Sequence, residues 1–179
     1  MNSLKNRFKE EILPKLQKEL GIKNPMRVPM LLKIVINMGV KNALSDKKNL
    51  QAGSEVLSQI TGQKAKITKA KKAISTFKLR EGDEIGLVVT LRGKRMYDFF
   101  EKLTTIVFPR LRDFHGTRNT SFDSRGNYTI GFTEYNVFPE IDPGKIDRIQ
   151  GLEITIVSSA KDHKTGAALL KALGMPFTK

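Results

Sequence analysis

Residues 31–39, LLKIVINMG, change character at nearly every step: Leu32, Ile34, Ile36 and Met38 fall on one side of an extended chain, Lys33, Val35 and Asn37 on the other. EIGLVVTLR, at 84–92, repeats the pattern, with Ile85, Leu87, Val89 and Leu91 against Val88, Thr90 and Arg92. A period of two with one apolar side predicts strands that bury one face and leave the other available. GLEITIVSS predicts a further strand with Leu152, Ile154 and Ile156 inward, and Tyr128–Phe132 a short one.

The apolar face needs a cover, and the rest of the chain supplies amphipathic helices. Leu4, Phe8, Ile12, Leu16 and Leu20 recur at helical spacing, with Ser3 placed as N-cap and Gly21 as the stop. Ser45 to Thr61 predicts a second helix through Leu50, Gly53, Val56, Leu57 and Ile60, and Lys94 to about Phe108 a third through Met96, Phe99, Phe100, Leu103 and Val107. Asp162 caps a last helix that runs through Leu173 and closes at Gly174 and Pro176. Asp113–Asn127 is polar and reads as a loop, and Glu81-Gly82-Asp83 carries a hairpin signal. The expected fold is α+β: a mostly antiparallel sheet, helices packed on one face, the other face and the loops left for a partner. No repeat or second domain is visible, so residues 1–179 are read as a single domain.

The kind of partner follows from charge. Against 18 acidic residues the chain carries 32 Lys and Arg, a net charge of +14, which attracts polyanions. There is no cysteine, hence no disulfide and no thiolate ligand or nucleophile. No apolar run reaches membrane-spanning length. Glu10, Glu11 and Glu19 argue against a signal or transit peptide and weaken any attraction of the first helix to anionic lipid. His115 and His163 are far apart and neither has metal-ligand spacing; no phosphate-binding glycine loop and no paired carboxylates occur. Nothing points to an enzyme, a metal or a cofactor.

The cations concentrate in GQKAKITKAKKAISTFKLREG, residues 62–82. Lys64, Lys66, Lys69, Lys71, Lys72, Lys78 and Arg80 stand there against Glu81 alone, with Ile67, Ile74, Phe77 and Leu79 between them. A stretch with so little compensating charge, bounded by glycines, predicts a projecting arm suited to phosphates. Phe77 serves either as a stacking surface for an unpaired base or as an anchor of the arm to the core. A second basic group, Arg92, Lys94, Arg95, Arg110, Arg112 and Arg118, begins where a strand turns into a helix. NMGVKN, Asn37–Asn42, suits close approach to a nucleic-acid backbone. From Glu134 to Glu153 the sign reverses, with Glu140, Asp142 and Asp147 as further acids; this segment fits either a basic protein partner or a solvated loop.

Taken as strings, TGQKAKITKAKKAISTFKLREGDEIG, VTLRGKRMYDFFEKL, PRLRDFHG, FDSRGNYTIGFTEYNVFPEI, GLEITIVSSA and LLKALGMPF resemble, in order and over the whole chain, the bacterial large-subunit ribosomal protein L5 family. Ala65 stands where that family often has Pro, and His115 where it often has Arg. The resemblance implies an RNA-recognition-like sheet, no catalysis and no cofactor. It implies cytoplasmic residence in the large ribosomal subunit, in the central protuberance, beside 5S rRNA and other 5S-associated proteins. It also implies a loop facing P-site tRNA and an intersubunit bridge to the basic small-subunit head protein S13.

Carried onto this sequence, the expected 5S rRNA contacts are Asn37, Met38, Gly39, Gln63, Lys64, Lys66, Thr68, Thr90, Arg92, Gly93 and Arg95. The tRNA-facing loop is Lys69, Lys71, Lys72, Ser75, Thr76, Phe77, Lys78 and Arg80. The intersubunit surface takes His115, Gly116, Arg118, Glu134, Glu140, Asp142 and Asp147. A general nucleic-acid binder, a peripheral membrane protein and a nucleic-acid-modifying enzyme are the readings set against this one.

Overall fold

The first helical stretch runs through a proline without breaking, and the third does the same. Proline lacks the N–H of an α-helical bond, and its ring collides with the carbonyl four residues back. Here α1 (Leu4–Arg7) passes into a π turn (Phe8–Ile12) before α2 (Leu13–Glu19), which contains Pro14. The N–H of Leu13 bonds to Phe8 O, five residues back, so the turn ahead of the proline is widened. Likewise α4 (Gly93–Lys102) passes through a π turn (Leu103–Val107) into α5 (Phe108–Arg110), which holds Pro109. The expected third helix therefore continues past Phe108.

In this computed structural model residues 3–40, 43–44, 46–112, 114–142, 144 and 150–178 are described. The remaining elements are β1 (Leu31–Gly39), α3 (Lys48–Thr61), β2 (Lys66–Lys69), β3 (Glu84–Leu91), β4 (Tyr128–Phe132), β5 (Leu152–Ser158) and α6 (His163–Ala172). The strands form one antiparallel sheet in the order β2-β3-β1-β5-β4, and the α+β expectation holds. By Cα proximity the chain divides into two compact units. One comprises Met1–Ile34, Leu91–Ile130 and Thr155–Lys179, the other Val35–Thr90 and Gly131–Ile154.

In the first unit α1 lies against α4, with the rings of Phe8 and Tyr97 at 5.9 Å between centroids. Leu4, Phe8, Ile12 and Leu16 are all buried, as their spacing predicts. Ser3 occupies the N-cap position, but its side chain makes no capping bond; its carbonyl accepts from the N–H groups of Asn6 and Arg7. Asp162 does cap α6, accepting from Thr165 N at 2.8 Å. In the second unit α3 packs on the inner face of the sheet, where a Cβ at Gly53 would meet Leu87 Cδ1 at 2.9 Å and Met38 Sδ at 3.5 Å. Just ahead of α3, Asp46 Oδ1 accepts from Lys48 N, while Lys47 at the N-cap position makes no side-chain capping bond; Ser45, the expected start, lies outside the described residues.

The alternation in β1 starts later than the sequence suggests. Ile34, Ile36 and Met38 are buried, but Leu32 is 46% exposed and Leu31 is the buried residue at the strand's entry. The turn signal at Glu81-Gly82-Asp83 is real, with Gly82 at φ +89°, but it is not the tip of a hairpin. It returns the chain to β3, and the tip lies earlier, at residues 75–78.

Candidate nucleic-acid interface

The register of β2 on β3 decides which side chains share the open face of the second unit. Lys66 pairs with Val88 and Thr68 with Gly86, while Ile67 pairs with Leu87. Leu87 points at α3, so Lys66, Thr68, Val88 and Thr90 lie on the opposite side of the sheet. In β1 the same phase puts exposed Asn37 there, between buried Ile36 and Met38. Gln63 and exposed Lys64 precede β2; Gln63 Nε2 donates to Thr90 O at 3.4 Å, which ties that connector to the end of β3.

Glycine makes this face flat where β2, β3 and β1 come together. A Cβ at Gly86 would stand 2.8 Å from Thr68 Oγ1 and 3.1 Å from Met38 O. Gly39 is exposed with open space around it. Met38 lies on the inner side, as its phase in β1 predicts. Its side chain is 2% exposed and turned to α3, so Met38 offers the open face only its backbone. The reason is phase: in a strand the neighbour of an outward Asn37 must point inward. Asn42, at the end of the NMGVKN string, lies outside the described residues.

Beyond Lys69 the chain leaves the sheet as a narrow arm. Its base is held by Ala70 N to Asp83 O at 2.8 Å and Gly82 N to Ala70 O at 3.0 Å. Lys69 Nζ lies 3.6 Å from Glu84 Oε1. Glu84 lies just past the basic stretch, in β3, so this partner comes from outside residues 62–82. It is an exposed pair and of little energetic weight. The carboxylate of Asp83 accepts from Arg80 N at 2.7 Å and fixes the returning limb.

The tip is a 3-10 turn, Ser75–Phe77, followed by Lys78 in the left-handed conformation at φ 52°. Lys71, Lys72, Ser75, Thr76, Lys78 and Arg80 are all exposed, and Phe77 is 71% exposed. Phe77 is thus not an anchor; the arm is closed by its own backbone. Asp83, Glu84 and Gly86, which shape the arm and the flat face, escaped the sequence reading. The turn signal at 81–83 was the one trace of them.

Arg92, Gly93 and Arg95 belong to the first unit, exposed at the start of α4, with Gly93 at φ +59°. The expected intersubunit residues fall in both units. In the first, His115 and Arg118 are exposed, and Arg118 O accepts from Tyr128 Oη at 2.7 Å. Gly116, at φ +107°, has a structural cause: a Cβ there would stand 2.7 Å from Thr178 N. Thr117 N donates to Pro176 O and Thr178 N to Thr117 O, a parallel bridge that leaves no room for a side chain at 116. In the second unit Glu134 Oε2 accepts from Asn136 Nδ2 at 2.6 Å, and Asp142 Oδ1 from Gly144 N at 3.0 Å; Glu140 is exposed. Asp147 lies outside the described residues.

Among the described residues no group of three or more His, Asp or Glu could hold a metal ion, and no helix is long and apolar enough to cross a membrane. His163 is a structural residue: its Nε2 lies 2.9 Å from Asn119 O and its ring stands edge-on to Phe122 at 4.8 Å.

Comparison with known proteins places the same segments in a family. Residues 24–80 match the family described as Ribosomal protein L5, and residues 84–177 match the C-terminus of the same ribosomal family. A protein named large ribosomal subunit protein uL5 from Prochlorococcus marinus (strain AS9601) is 54% identical over 177 residues, covering 99% of both chains. Proteins of that name from Mesoplasma florum and Desulfotalea psychrophila are 54% identical over 98% and 51% identical over 100% of both chains, respectively.

Proposed function

This chain belongs to the ribosomal L5 family, and on that premise we propose that it binds 5S rRNA through the open sheet face of its second unit. It is a protein of the large ribosomal subunit, at work in the cytoplasmic ribosome; it is a structural component, not an enzyme. The observation that carries the proposal is the shared face of Asn37, Lys66, Thr68 and Thr90, opposite α3. A flat surface with a cation, two hydroxyls and an amide supports contact with phosphates, 2′-hydroxyls and base edges. Lys64 and Gln63 extend it on one side. Arg92, Gly93 and Arg95, at a strand-to-helix turn, are assigned to the same RNA.

The arm from Lys69 to Arg80 is assigned to P-site tRNA. Its support is a row of exposed cations around an exposed aromatic ring, the pairing used for single-stranded or splayed nucleic acid. The acids Glu134, Glu140, Asp142 and Asp147, with His115, Gly116 and Arg118, are assigned to the bridge with the small-subunit head protein S13. Charge opposite to that of a basic partner supports this.

Equilibrium binding of the purified chain to 5S rRNA at about 0.15 M salt, with tRNA and duplex DNA as competitors, tests the first assignment. The expected result is a preference for 5S rRNA that survives excess competitor. For about six to ten phosphate contacts, affinity falls roughly 10³- to 10⁵-fold between 50 and 200 mM salt. Equal affinity for all three polyanions would replace specific recognition with general electrostatic binding.

A further inference from the structure

A groove of about 750 Å³ opens in the first unit between the connector after α2 and the segment that leads into α6. Its walls are tied by reciprocal bonds: Met30 N donates to Ser159 Oγ, and Ser159 N donates to Met30 O, both at 2.9 Å. On the lip stands Met26, 82% exposed. It is held there by a 3-10 turn, Pro25–Arg27, in which Asn24 Oδ1 accepts from Met26 N at 2.9 Å. Lys23 and Arg27 stand on one wall and Lys161 on the other, all exposed, with no ion pair to any of them among the described residues. Among the described residues of the lining the one acid, Asp162, is already engaged: its Oδ1 accepts from Thr165 N at 2.8 Å and lies 3.0 Å from Thr165 Oγ1.

We propose that this groove docks a segment of a neighbouring ribosomal protein that presents an apolar side chain flanked by carboxylates. The cations ask for anions, and the acid of the wall does not answer them. The apolar lip favours a polypeptide over an RNA strand. None of the described residues lining the groove is aromatic, so a splayed base finds no ring to stack on. An unbranched thioether such as that of Met26 instead adapts its shape to an apolar side chain.

The inference rests on the chain's place in the large subunit, and the test separates the two. Large subunits are assembled with p-benzoylphenylalanine in place of Met26 or, in a second preparation, of Ala160, then irradiated and analysed by mass spectrometry. Presence of the chain in the purified subunit is scored first; its absence overturns both readings. The expected product is a cross-link to a ribosomal-protein peptide with Asp or Glu close to the attached apolar residue. Its yield should fall roughly tenfold when Arg27→Glu and Lys161→Glu are added. A cross-link to rRNA, a cross-link to a peptide without acids, an unchanged yield in the charge-reversed chain, or no cross-link from either position overturns the proposal.

Discussion

Ile74 and Leu79 exchange both of their backbone hydrogen bonds, N to O at 2.9 Å in one direction and 3.1 Å in the other. With Ala70, Gly82 and Asp83 closing the base, this pair gives the arm a second fastening near its tip. Phe77 and Lys78 project from a loop whose backbone is already fixed, so less ordering entropy is lost when a partner meets it.

The two RNA assignments separate by salt dependence. Lys66→Ala should lower the slope of log affinity against log salt for 5S rRNA by about 1, as for one lost phosphate contact. Lys71→Ala with Lys72→Ala should leave that slope unchanged and lower the slope for tRNA instead. Filter-binding titrations at several salt concentrations measure both. A loss of 5S rRNA binding from the arm double variant as large as that from Lys66→Ala would merge the two surfaces into one.

Phe77→Ala distinguishes a ring that binds from a ring that packs. Its exposure predicts a change in folding stability within about 0.5 kcal/mol, the range of ordinary surface substitutions. If the ring stacks on a base, tRNA affinity falls by about 1–3 kcal/mol. Thermal melts and binding titrations on one preparation give both numbers; a large drop in melting temperature with unchanged affinity would reverse the assignment.

Gly86→Ala tests the close approach of the strands. The added carbon must displace Thr68 Oγ1 or the Met38 carbonyl. A cost of about 1–3 kcal/mol is expected, as for overpacking elsewhere, together with weaker 5S rRNA binding. Adding Thr68→Ala should recover part of the stability by removing the nearer obstacle. An unaltered melting temperature for Gly86→Ala alone would refute the contact.

Two aspartates should resist acid. Asp162 is held below the ordinary carboxylate range by the N–H of Thr165, then by the Thr165 hydroxyl. For Asp123 slight burial pushes upward, but bonds from the Asn127 side chain and from the N–H groups of Asn127 and Arg125 prevail, and its pKa is also lowered. A depressed folded pKa gives stabilisation that is complete above the unfolded value and lost as pH falls through the folded one. Carboxyl-carbon NMR should therefore show both groups protonating below the range of an ordinary aspartate as pH is lowered. Protonation of either group in the ordinary aspartate range would contradict these hydrogen bonds.

The expectation of a single domain has its own test. The boundaries between the two compact units fall at 34/35, 90/91, 130/131 and 154/155, each inside a strand. Neither unit is a continuous length of chain, and we expect one cooperative thermal transition with equal calorimetric and van't Hoff enthalpies. Two resolved transitions would give each unit a stability of its own.

What the sequence made legible was mostly periodic. Asn37 could be assigned a face because a strand has a period of two, and Phe8 and Leu16 a core because a helix has one near four; the face of Lys66 and Thr68 emerges only from the register of β2 on β3. Met38 falls on the buried side, as the same period predicts, so only its backbone is left for the RNA contact that the family resemblance implies. Leu32 is exposed because the strict alternation of β1 begins only at Ile34, with Leu31 buried at the strand's entry instead. The π turns before Pro14 and Pro109 are adjustments of packed helices, with no signature apart from the prolines. The groove around Met26 joins residues more than a hundred positions apart, as Met30 and Ser159 show, and no local pattern announces it.

The bond from Thr117 Oγ1 to Pro176 O spans 59 positions of sequence. At about 5–20 residues per second of synthesis, Thr117 is made roughly 3–12 s before its partner exists. During that interval the segment around Gly116 has no strand to bridge, and the aromatic cluster of Phe122 and Tyr128 lacks Phe177. The first unit thus reaches its finished form late, only once the residues that bridge to Thr117 have been made.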